Sequence, residues 1–63
     1  MIKVGDKYIL HSENGLDYNI EVVNINHFRP EDEVYGCDVF CGGVYADNIM
    51  FFGEDFFAKC EKQ

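Results

Sequence analysis

Apolar residues in this chain recur at every second position, and the phase of that alternation changes once, inside the longest run. Leu16, Tyr18, Ile20 and Val22 share one face of an extended segment, whereas Val23 and Ile25 occupy the opposite phase. Alternation of this kind marks a half-buried strand, because successive side chains of a strand point to opposite faces. Two adjacent β-branched residues at the phase change predict a bulge near Val22-Val23. A bulge bends its strand, and a long bent strand is what a small barrel requires. Helical signals are nearly absent. Ala occurs twice, and no window of a dozen residues carries apolar positions at helical spacing.

The turn signals divide the chain into five short strands. The first is expected over residues 7–10, with Ile2 and Val4 packing as the chain enters it. Ser12-Glu13-Asn14-Gly15 marks a reversal, since Asn-Gly supplies the positive φ angles that tight turns need. The second strand spans residues 16–26. Residues 27–33, with Pro30 and the acidic trio Glu31, Asp32 and Glu33, read as an exposed loop. The third strand covers residues 34–41 and sets Tyr35, Cys37, Val39 and Cys41 on one face. Gly42-Gly43 is a hairpin signal. The fourth strand runs over residues 44–52, with an interruption at Asp47-Asn48. A single turn of 3₁₀ helix is expected at residues 53–56, followed by a last strand over residues 57–61.

Val4-Gly5-Asp6-Lys7-Tyr8 resembles the "hydrophobic-Gly-Asp" opening of SH3-like small barrels, including Tudor and KOW-type domains. The long bent second strand, the hairpin, the 3₁₀ turn and the short terminal strand are similar to the order of elements in that family. The resemblance implies an all-β, five-stranded SH3-like barrel with a short 3₁₀ turn before its last strand. It implies no activity, because the fold hosts many unrelated binding roles.

With 63 residues, the chain is expected to form one domain over residues 1–63, near the lower limit for folding on a hydrophobic core alone. So small a core leaves little room for a deep catalytic cleft, which favours binding over catalysis. The formal net charge is −7, from 12 acidic and 5 basic residues. Direct binding of nucleic acid, a polyanion held through Lys and Arg, is disfavoured. The acidity serves solubility, or it forms a face that docks on a basic protein surface. No run approaches the ~20 apolar residues that span a bilayer. No positive segment followed by an apolar stretch suggests a signal peptide. The three cysteines, Cys37, Cys41 and Cys60, do not form a secreted disulfide framework. A cytoplasm, of a bacterium or of an infected host cell, is the expected compartment.

No catalytic or metal-binding constellation stands out. Cys37 and Cys41, placed on one extended strand, lie about 13 Å apart at ~3.3 Å per residue, too far for a disulfide or a shared Zn²⁺. They read as small buried apolar residues. His11 and His27 fall at strand ends without a nucleophile signature. The carboxylates match no Ca²⁺ loop, and the glycines form no phosphate-binding loop. No cofactor is implied.

The expected function is therefore that of a non-enzymatic protein-binding domain, of the kind found in small accessory or inhibitor proteins of bacteria and phages. Glu31, Asp32, Glu33, Glu54 and Asp55 would meet a basic patch, and Tyr35, Tyr45 and Phe52 would supply apolar contact. Three alternatives stand beside it. One is a nucleic-acid mimic, whose carboxylates imitate phosphates. Another is an aromatic-cage reader of basic or methylated peptides. The third is a homo-oligomeric subunit joined through an open strand edge.

Overall fold

The computed structural model describes residues 2–29 and 32–63, with residues 28, 29 and 32 as backbone only. The chain forms an antiparallel sheet of five strands: β1 (Lys7–His11), β2 (Asp17–Arg29), β3 (Asp32–Cys41), β4 (Val44–Phe52) and β5 (Glu61–Lys62). A 3₁₀ turn, Phe57–Lys59, precedes β5. The strands are ordered β4-β3-β2-β1-β5. Each neighbour in sequence is a neighbour in space, except that β5 returns to pair with β1.

The bulge forms where the alternation changes phase. Val22 pairs with Cys37 and Asn24 with Gly36, which leaves Val23 as the extra residue. The shift returns Ile25 to the face shared by Ile20 and Val22, so both halves of β2 serve one core. The Gly5-Asp6 turn docks on this point. Gly5 donates its N–H to the Val22 carbonyl at 2.8 Å, and Val22 donates to the Asp6 carbonyl at 3.0 Å. On the opposite face Gly36 lies directly under Asn24, so that a Cβ there would overlap the Asn24 amide. Gly42 and Gly43, at φ 59° and 81°, form the two-residue β3–β4 turn, whose positive φ angles match the twist of the flanking strands.

The core lies on one face of the sheet. Tyr8, Ile20, Val22, Tyr35, Cys37, Val39 and Phe57 are buried together with Ile2. Phe57 sits at the centre of the aromatic packing. Its ring lies 5.0 Å from Tyr8 and meets Tyr35 edge-on at 5.3 Å. Phe51 and Phe56 stack at 3.9 Å beside it.

Several expected boundaries move. Residues 27–33 are not simply a loop, because β2 continues to Arg29 and β3 begins at Asp32. The 3₁₀ turn falls at Phe57–Lys59 rather than at 53–56, and β5 shortens to Glu61–Lys62. Both shifts have one cause: Phe57 turns into the core, which draws the helical turn onto residues expected to be strand. Val4 is exposed, whereas Ile2 is buried. The interruption in β4 is a register shift at Ala46, one residue before the expected position.

The sheet is not closed. Its ends are β4, with nine residues, and β5, with two. No hydrogen-bonded rung joins them among the described residues.

A domain of this size has a stability of roughly 3–9 kcal/mol at 0.05–0.15 kcal/mol per residue. Phe57→Ala is expected to remove about 3–5 kcal/mol, as truncation of a buried aromatic does. Thermal denaturation followed by circular dichroism should show a melting temperature lowered by at least about 12 °C, at roughly 4–8 °C per kcal/mol for a domain of this size. A melting temperature within a few degrees of wild type would contradict the central place of Phe57.

Candidate functional site

β4 is the most exposed of the four long strands of the sheet. Every one of its residues except Phe51 is exposed. Five of them are apolar and large: Val44, Tyr45, Ile49, Met50 and Phe52. Natural proteins protect edge strands with Lys, Pro, bulges or short length. The β1–β5 side has such protection, since β5 is two residues long and carries Lys62, held 3.5 Å from Asp6. β4 has a bulge at Ala46 and one charge, Asp47, but beyond these residues 48–52 read Asn-Ile-Met-Phe-Phe.

The register assigns the two faces of β4. Ile49 and Phe51 pair with Cys37 and Tyr35 and so lie on the core face. There they border a groove of about 240 Å³, completed by Leu10, Tyr18, Ile20, Val39 and Phe56, whose lining is apolar throughout. Tyr45, Met50 and Phe52 pair with Phe40, Gly36 and Val34 on the other face. The Tyr45 ring meets Phe40 edge-on at 5.7 Å. Beside this pair, Asn48 donates its side-chain N–H to Asp38 at 2.9 Å.

The expected contact residues separate into distinct groups. Tyr45 and Phe52 are exposed on β4, and Glu54 and Asp55 are exposed just after it. Glu33 is half-buried on β3. Tyr35, expected at the surface, is buried in the core at 1 % exposure. Its position in the alternation with Cys37 and Val39 carries it inward, and its hydroxyl donates to Glu33 Oε2 at 2.5 Å. Burial, with the Glu33 carboxylate beside it, holds the phenol well above its ordinary range. Asp32 opens β3, and Glu31 lies outside the described residues. Val44, Ile49 and Met50 did not stand out in the sequence. Their exposure follows from the place of β4 at the sheet edge, which no local pattern displays.

No family model, curated protein or solved structure matches the chain.

The reactive side chains are held in other ways. Cys37 is buried, and its thiol is pushed up to about 11 by burial, with the Asp38 carboxylate adding to it. Burial also raises the Cys60 thiol. These sulfurs face the carbonyls of Tyr35 and Phe56. No group of three or more His, Cys, Asp or Glu side chains is placed to hold a metal ion among the described residues. No helix there is long and apolar enough to cross a membrane. His11 bridges three strands instead. Its ring nitrogens face Glu61 on β5 at 3.0 Å and Asp17 on β2 at 2.9 Å. Hydrogen bonds to Glu61 and then Asp17 raise its pKa above the ordinary value.

Two tests follow from these contacts. Because the folded-state pKa of His11 is raised, its stabilising contribution is complete below the ordinary imidazole value of about 6.5. That contribution fades as pH rises through the folded value. His11→Gln should flatten this part of the stability profile, measured by urea denaturation at a series of pH values. An unchanged slope would mean that the bridge contributes nothing. Tyr35→Phe keeps the ring and removes the hydrogen bond to Glu33. A loss of about 1–2 kcal/mol is expected, read from the shift of the urea midpoint at constant slope.

Proposed function

We propose that this chain is a non-enzymatic protein-binding domain that docks on a basic protein surface through its β3–β4 half. The observation that carries the proposal is the pairing of exposed apolar side chains with one sign of charge. Val44, Tyr45, Ile49, Met50 and Phe52 are exposed on β4. Around them stand Glu33, Asp38, Asp47, Glu54 and Asp55, in a stretch of sequence without a single cation. Lys3, Lys7 and Lys62 belong to the β1–β5 side, and the fourth lysine, Lys59, ends the 3₁₀ turn that precedes β5. Interfaces combine aromatic and aliphatic contact with a polar rim, and complementary charge speeds encounter and rejects wrong partners. A basic partner meets both requirements here.

The fold is consistent with an opened SH3-like barrel. Supporting this are the meander of β1 to β4, the return of β5 to β1, the 3₁₀ turn before β5, and the Gly5-Asp6 turn docked on the β2 bulge. Opening such a barrel between β4 and β5 leaves the groove and the β4 edge uncovered. The three free cysteines suit a reducing compartment such as a cytoplasm.

The test compares the wild type with Tyr45→Ser/Phe52→Ser and Glu54→Lys/Asp55→Lys in capture from cell lysate at low and high salt. A specific partner should be basic. Its binding should weaken with salt, as screened surface charges require, and fall in the charge-reversed variant. Loss of the two aromatics should cost about 2 kcal/mol or more of binding, the scale of interface anchors. Equal capture by all three proteins would exclude this half of the sheet as the docking surface.

A further inference from the structure

Building on the docking face just described, we propose that residues 48–52 of β4 are a strand-addition site for an extended segment of a basic protein. Apolar side chains in the centre of that segment enter the groove, and Lys or Arg at its two ends meets Asp47 and Glu54-Asp55.

The backbone supplies the first part. Among the described residues β4 pairs with β3 alone, so its other side offers a row of N–H and C=O groups to an incoming strand. Strand addition draws affinity from those main-chain groups and specificity from pockets for alternate side chains. The groove provides such a pocket. Ile49 and Phe51 line it on the core face, two residues apart, as the alternation of an added strand requires.

Charge selects the occupant. The apolar segment has Asp47 before it and Glu54 and Asp55 after it. A second copy of this chain fits poorly. Antiparallel pairing of residues 48–52 with themselves would set Asp47 of one copy opposite Gly53 of the other, next to its Glu54 and Asp55, and so would crowd carboxylates together at both ends. A segment that is apolar in the middle and basic at its ends removes that repulsion and pairs every carboxylate.

The probe is a nine-residue peptide, Lys-Arg-Val-Thr-Leu-Thr-Val-Arg-Lys, used against the full chain. Its binding is followed by fluorescence anisotropy, and the amide hydrogens of residues 48–52 by exchange measured with NMR. The expected result is saturable binding with slower exchange at those amides. Met50→Lys or Asp47→Lys, each confirmed as folded by circular dichroism, should weaken it at least tenfold. Replacing the central Leu of the peptide by Pro, which cannot donate to the ladder, should do the same. If the Pro peptide binds equally and the amides stay unprotected, strand addition is wrong while docking on a basic partner stands. If a peptide with Glu at the four basic positions binds as well, the charge selection is wrong. If no binding is seen up to on the order of 1 mM, strand addition by a basic segment is overturned. If sedimentation shows a dimer with these amides already protected, the occupant is a second copy and the proposal fails.

Discussion

The structure depends on one extra residue in β2. With Val23 set out of register, the strand turns its apolar positions to the same face before and after the bulge. Tyr18, Ile20 and Val22 reach the core from one half, and Ile25 from the other. An unbroken strand of this sequence would have faced Ile25 away, and so small a chain could not spare it. The bulge also exposes the backbone of Val22 to the Gly5-Asp6 turn, which satisfies both its polar groups. This ties the first residues of the chain to the middle of the sheet.

A second constraint, the inward turn of Phe57, decides the shape of the molecule. Its ring joins Tyr8, Tyr35 and Phe51, and local backbone bonds from Glu54 to Cys60 hold the turn that places it. The residues used this way are lost to the last strand. β5 is left with two residues, enough to pair with β1 but not to reach across to β4. The open groove and the bare β4 edge thus follow from how the core is completed. Surface that a longer last strand would cover is left facing solvent, flanked by carboxylates.

Much of this was legible from the residues. The first four strands, the bulge at Val22-Val23 and the Gly42-Gly43 turn each rest on local backbone preference or on alternation, which the sequence displays directly, whereas the last strand gave most of its expected residues to the 3₁₀ turn. Cys37 and Cys41 fell on one strand, as the same alternation required. The candidate site was legible only in part. Tyr45, Phe52, Glu54 and Asp55 are exposed around β4, but Tyr35 is a core residue. Composition had suggested it for the surface, although its own phase with Cys37 and Val39 pointed inward.

The sequence by itself determined the class of structure, the phase of each strand and the separation of charge along the chain. Alternation and turn chemistry act over a few residues, so they can be read one segment at a time. Only the tertiary structure decided which strand lies at which edge and that the sheet stays open. It also decided that the apolar side chains of β4 are left uncovered. Those outcomes depend on packing between residues far apart in the chain, above all Phe57 against Tyr8 and Tyr35. No local pattern reveals which of several aromatics will take the last place in the core.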